Sequence, residues 1–273
     1  MNFIFFSLLR LYNWLGNLFR PKPKDSPFKM KIFLGWDSRE ANAYDVARYS
    51  IIHNSKYPDI RVIPIELKNL GELLTRPIER REGKLWCPIS QAYMATEFAI
   101  SRFCVPFLAK KGWALFADAD IVCQADIQKL FALRDKKYAV MVVKHKQETG
   151  TAVKMDGQVQ TYYSRKNWSS VVLWNCDHPS NQKLTAEMLN TLPGRDLHAF
   201  CWLADDEIGE LPREWNYLVG IDTYPISTAK IIHYTLGGPW FTEWSWHEAD
   251  IYWNNMYAKV RSNVPPEFNR QKK

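Results

Sequence analysis

Two hydrophobic periods alternate along this chain. From Met30, the run KIFLG is a short apolar strand that ends in Gly35, Trp36 and Asp37. Tyr44, Ala47 and Ile51 then keep helical spacing, and IRVIPIEL follows as a second strand. Ile89, Tyr93, Ile100, Phe103 and Phe107 also fall at helical spacing, with Pro88 suited to a first turn, so a helix is predicted over 89–107. WALFADADIVC reads as one buried strand, followed by a helix that Asp126 caps. AVMVVKH and SSVVLWN are further strands, and the tryptophan-rich stretch 240–253 reads as a packed C-terminal helix.

Strands and helices in alternation predict an α/β fold, in which a mostly parallel sheet is covered by helices on both faces. Ligands of such sheets bind beyond the carboxyl ends of the strands. With no internal repeat, residues 28–262 read as one domain. Residues 1–27 precede it as an amphipathic helix and linker, and 263–273 follow as a basic tail.

The first twenty residues place Ser7, Arg10, Asn13, Asn17 and Arg20 on one helical stripe, with a wide apolar face around the rest. Arg10 interrupts the apolar run, which is too short for the ~20 residues of a bilayer span. No basic region precedes it and no small-residue cleavage site follows, which argues against a signal peptide. Two readings stay open: a helix lying on a membrane surface, helped by the basic PKPK that follows, or a helix packed on protein.

Composition narrows the classes. The chain has 273 residues, 47% hydrophobic and 24% charged, enough to fold without a disulfide or structural metal. Its net charge of +7 gathers at the ends, in Arg10, Arg20, Lys22, Lys24 and Lys29 and in Arg270, Lys272 and Lys273. A nucleic-acid binder carries its basic stripe within the fold, so no nucleic-acid partner is expected. Anionic lipid or a phosphorylated substrate suits this distribution better. The five cysteines form no C-x-x-C pair and are odd in number, as expected of reduced, buried thiols in a cytoplasmic protein, peripheral on the membrane's inner face if the first helix binds there.

The chemistry starts at Asp118 and Asp120. In an extended chain, residues two apart face the same side, ~6.5 Å apart, so two carboxylates there can converge on Mg²⁺ or Mn²⁺. Small Ala119 leaves room for a bulky ligand. Aspartates also close strands as turn formers, so the pair alone leaves both readings open.

Several segments together resemble the family 8 glycosyltransferases of the GT-A fold, whose relatives include bacterial lipopolysaccharide galactosyltransferases and glycogenin. KIFLGWDSRE looks like the first strand and nucleotide loop, and ATEFAISRF like the helix that brings a basic residue to the donor. LFADADIVC looks like the metal strand, and NWSSVVLWN like the strand lining the sugar pocket. DDEIGELPREWN resembles the acidic motif with L-P-x-x-W-N, and HYTLGGPW the closing element. The resemblance spans nearly all of 30–262.

It implies that Asp118, Asp120 and His233 coordinate Mn²⁺ or Mg²⁺, with Gly237 and Gly238 admitting phosphate oxygens close to the backbone. It places Gly35, Trp36 and Asp37 at the nucleotide, Arg102 at the donor sugar and phosphate, and Asp206 near the reacting carbon. It implies transfer from a nucleotide sugar, most often a UDP-sugar, to a saccharide or lipid-linked acceptor, with retention of configuration. Two departures stand out. Ala204 and Asp205 replace the usual aspartate and glutamine, and Gly238 stands where many relatives carry a lysine before the final Pro-Trp. Lys144, Lys146, Arg165 and Lys166 are then the candidates to neutralise the leaving diphosphate.

Two rivals come from other classes. A carbohydrate-binding protein accounts for the 12 tryptophans without needing a metal site. A nucleotidyltransferase uses carboxylates and metal, but SREANAYD is not a glycine-rich phosphate loop.

Overall fold

In the computed structural model, residues 30–57, 60–146 and 165–262 are described. The N-terminal amphipathic segment, its linker and the basic tail lie outside them. Two apolar runs make the centre of the main sheet. Strand β6 (Trp113–Ala117) and strand β9 (Val171–Asn175) are buried at every position, as befits strands covered on both faces.

Around them stand β1 (Lys31–Gly35), β2 (Arg61–Ile65), β8 (Val140–Val142) and β10 (Ile208–Glu210), in the order β10-β8-β9-β6-β1-β2. The pairs β1–β2, β1–β6 and β8–β10 are parallel, and β9 alone runs against its neighbours. The sheet is thus mixed and mostly parallel. Helix α1 (Ala41–Asn54) carries the predicted Tyr44, Ala47 and Ile51 on its buried side.

Two smaller sheets complete the strands. β3 (Glu79–Arg81), β4 (Lys84–Cys87) and β5 (Ala92–Met94) form an antiparallel meander. β7 (Ile121–Cys123), β11 (Tyr217–Leu218) and β12 (Ile231–His233) form the other, with β12 between its two partners. Short helices α2 (Val105–Ala109), α3 (Gln128–Phe131), α4 (Ala186–Thr191) and α5 (Gly194–His198) fill the connections, and α6 (Asp250–Ser262) packs against α1. No helix among the described residues is long and apolar enough to cross a membrane.

Three elements differ from the sequence pattern. The predicted helix over 89–107 is replaced by a reversal, strand β5, a run of turns, a 3₁₀ turn at Ser101–Cys104, and α2. Pro88 closes β4 instead of opening a helix: its carbonyl accepts from the Gln91 amide, and Gln91 takes φ 48° to turn the chain into β5. WALFADADIVC is two strands, because the chain bends at Ala119 and Asp120 and passes from the main sheet into the second one. Ala119 is fully buried, so its small side chain serves this crossing. The stretch 240–253 is helical only from Asp250. Before it, Trp240 packs on Tyr234 and Trp253, Trp244 donates to the Asp250 carboxylate, and Trp246 is exposed.

Asp126 does serve the start of α3, accepting from the Gln128 amide at 3.1 Å. All five cysteines are free thiols. Four are buried as expected, whereas Cys201 is exposed.

Candidate functional site

β6 ends at Ala117, so Asp118 emerges at the carboxyl edge of the main sheet, where the Asp118 amide donates to the Ser170 carbonyl at 2.9 Å. After the bend, β7 pairs with β12 so that His233 faces Ile121, next to Asp120. The Tyr234 amide donates to the Asp120 carbonyl at 2.9 Å. Strand register therefore brings a histidine more than a hundred residues distant to the two carboxylates. One ligand atom from each of Asp118, Asp120 and His233 lies within 4.8 Å of the other two.

The imidazole is fixed from behind. His233 Nδ1 lies 3.0 Å from Asn216 Oδ1, and Asn216 Nδ2 donates to Ser170 Oγ at 2.9 Å. With the amide so oriented, Nδ1 donates to Asn216 Oδ1 and Nε2 faces the carboxylates, 3.3 Å from Asp120 Oδ1 and 3.9 Å from Asp118 Oδ2. An imidazole held from behind in this way, beside two carboxylates, is a fitting donor set for Mn²⁺ or Mg²⁺.

Arg102 sits on the 3₁₀ turn before α2, buried between Phe98 and Phe116. Its Nη1 is 2.9 Å from Asp118 Oδ1 and donates to the Ser169 carbonyl at 3.0 Å. A guanidinium here offsets part of the carboxylate charge and holds Asp118 in one orientation.

These groups open onto a cavity of about 400 Å³. Asp118, Asp120, His233 and Arg102 line it, as do Lys166 and His198. Of the four cations considered for the diphosphate, Lys166 is the one in this lining. Lys144 lies over the Trp168 ring, and Arg165 bonds the Ala199 carbonyl and pairs with Asp205 at 2.6 Å.

The other predicted residues stand apart from this lining. Asp37 is fully buried, and its carboxylate accepts from the Arg39 amide and side chain and from the Glu97 amide. Trp36 packs edge-on against Tyr44 at 5.1 Å. Gly35 lets the Phe98 ring approach, since a Cβ there would lie 2.4 Å from it. Gly237 takes φ 117° in the turn after β12, and a Cβ on Gly238 would strike the Trp240 ring.

Asp206 is exposed on the 3₁₀ turn that leads into β10. Because β10 runs parallel to β8 and so to β6, that turn lies at the amino edge of the sheet, opposite the edge that carries Asp118. The structure does not bring Asp206 to the cavity.

Four contributors were not singled out from the sequence: Asn216, Ser169, Ser170 and His198. Asn216 ends the L-P-x-x-W-N segment and the two serines stand in NWSSVVLWN, so their places in those segments were the available signal. His198 lies in no motif.

A family model described as glycosyl transferase family 8 matches residues 96–244, which include Arg102, both aspartates and His233. The chain belongs to this family. It is 43% identical over 243 residues to Protein CDI of Arabidopsis thaliana, covering 87% of this chain and 89% of that protein. Among solved structures, LgtC, a galactosyltransferase in complex with donor and acceptor sugar analogs, matches with TM-score 0.52 at 15% identity, over 88% of this chain and 99% of that one. GlyE of Streptococcus pneumoniae matches with TM-score 0.56 at 13% identity, over 87% of this chain and 63% of that one. WbbM, a bifunctional glycosyltransferase, matches with TM-score 0.54 at 16% identity over 91% of this chain, which spans about half (53%) of WbbM. At such identities the likeness is one of fold, and the fold is GT-A. This family 8 chain is accordingly a glycosyltransferase.

Proposed function

We propose that the protein transfers a sugar from a nucleotide sugar, a UDP-sugar in the first instance, to a saccharide or lipid-linked acceptor with retention of configuration. The observation that carries this is the convergence of Asp118, Asp120 and His233 at the mouth of a sugar-sized cavity on the carboxyl edge of the sheet. Mn²⁺ or Mg²⁺ held by these three side chains would supply positive charge to the departing diphosphate.

The chain's own residues have distinct parts. Arg102 orients Asp118 and lowers the cost of keeping two carboxylates together. Asn216 keeps the His233 proton on Nδ1, so that Nε2 stays a ligand. Lys166, in the cavity lining, offers the cation that Gly238 withholds. Among the described residues, the carboxylates in the lining are Asp118 and Asp120. That favours same-face attack, in which the acceptor oxygen bonds the anomeric carbon as the diphosphate leaves with the hydroxyl proton. Attachment to a membrane surface through residues 1–20 suits a lipid-linked acceptor.

A screen of nucleotide sugars by thermal shift tests this, with Mn²⁺ and with chelator. One donor is expected to raise the melting temperature only when metal is present. Sugar transfer that proceeds unchanged in chelator overturns the proposal.

A further inference from the structure

The meander of β3, β4 and β5 has two unlike faces. On one, Leu85 stands opposite Met94 and Cys87 opposite Ala92, and Leu85, Cys87 and Met94 are buried. On the other, register aligns Glu79, Trp86 and Tyr93 across the three strands. The Trp86 and Tyr93 rings meet at 77° with centroids 5.0 Å apart. The Arg81 guanidinium lies over the Trp86 ring at 4.4 Å and pairs with Glu79 at 2.8 Å. Trp86 is half-buried, and Tyr93, 40% exposed, is the more open ring of the pair.

Tyr93 also belongs to the cavity. Gln91 turns β4 into β5 at the cavity wall, and Gln91, Tyr93 and Met94 line it together with Asp118, Asp120 and His233. The lining therefore runs from a buried end, at Asp118 and His233, to an exposed one at Tyr93. A donor whose diphosphate reaches the aspartates occupies the buried end and leaves the exposed end to the acceptor. A pyranose presents C–H bonds on a flat face, weakly positive at hydrogen, and the face of an aromatic ring is negative, so the two stack. We propose that Tyr93, backed by Trp86, is the platform on which a pyranose ring of the acceptor stacks. The buried inner face of the meander and the Arg81–Trp86 contact hold that ring in place before the acceptor arrives, which lowers the ordering cost of binding.

The assignment rests on the transferase reading, and its test separates the two. Binding of lactose, cellobiose, maltose and methyl α-mannoside would be titrated by saturation-transfer NMR with UDP and Mg²⁺ present. UDP affinity would be measured by calorimetry and folding by melting temperature, in the wild type, Tyr93→Ala and Tyr93→Phe. The wild type is expected to bind at least one of these saccharides, with saturation reaching its ring C–H protons. Tyr93→Ala is expected to weaken that saccharide about tenfold while UDP affinity stays unchanged, and Tyr93→Phe to stay within about twofold of wild type. Unchanged saccharide affinity in Tyr93→Ala overturns the proposal. So does a parallel loss of UDP and saccharide binding with a lowered melting temperature, which assigns Tyr93 a merely structural role. If the wild type binds UDP but none of the four saccharides, the platform falls and the transferase reading stands. If it binds neither, the UDP-sugar reading falls as well.

Discussion

The chain carries two acidic pairs, Asp118 with Asp120 and Asp205 with Asp206, and the fold treats them oppositely. The first leaves a fully buried strand at the carboxyl edge of the sheet and is gripped by Arg102 and His233. The second sits on an exposed 3₁₀ turn at the amino edge, where Asp205 meets Arg165 with 88% of its side chain exposed. Residue type is the same in both. What differs is the end of the strand each adjoins, since Asp118 follows β6 and Asp206 precedes β10, and with it the company each carboxylate keeps.

The largest expected effect sharpens this contrast. Asp118→Asn should reduce metal-dependent donor hydrolysis by about 10³-fold, since charge stabilisation by a bound cation contributes several kcal/mol. Asp206→Asn should stay within about twofold of wild type, because an exposed side chain at the far edge touches nothing in the cavity. A crippled Asp206→Asn enzyme with normal donor affinity would break the comparison.

Next comes stability. Arg102→Ala leaves Asp118 without its guanidinium and should cost about 3–5 kcal/mol in urea unfolding of the metal-free protein. Arg165→Ala removes a surface pair with Asp205, for which about 0–1 kcal/mol is expected, plus the loss of its bonds to backbone carbonyls. Asn216→Ala frees His233 Nδ1, and Mn²⁺ affinity measured by calorimetry should fall about 10–100-fold.

The smallest effect concerns Glu207, the third acid of the exposed turn. Ser180 Oγ donates to it, and the Ala204 amide donates to it at 2.9 Å. The Ser180 hydrogen bond, then the one from Ala204, hold its pKa below the usual carboxylate value, against a small opposing effect of burial. The folded form therefore keeps the ionised state more readily than the unfolded one. This stabilisation is present above about pH 4.3 and is lost as pH falls through the lowered folded value. Ser180→Ala should shrink that loss, detected as a shallower acid limb in stability against pH.

The sequence made the cluster of Asp118, Asp120 and His233 legible because each part is announced locally. An apolar strand runs into Asp118, and an apolar strand runs into His233. The main strands and α1 were readable for the same reason. The region 89–107 misled because its apolar residues fall at helical spacing while Pro88 and Gln91 build a turn, and turn chemistry prevailed over periodicity. Asp206 stands outside the cavity lining because it precedes its strand instead of following it, and a short acidic motif does not say which end of a strand it adjoins. His198 left no trace in the sequence, since its partner Ser169 is 29 residues away and neither stands in a repeating pattern.

The bend at Ala119 and Asp120 has a consequence for how the molecule holds together. Asp118 belongs to the end of one sheet, whereas His233 belongs to another, and the chain crosses from the first to the second between the aspartates. A divalent ion seated at that seam would act as a rivet between two plates. The two sheets should then come apart together when it is loaded and in sequence when it is stripped away.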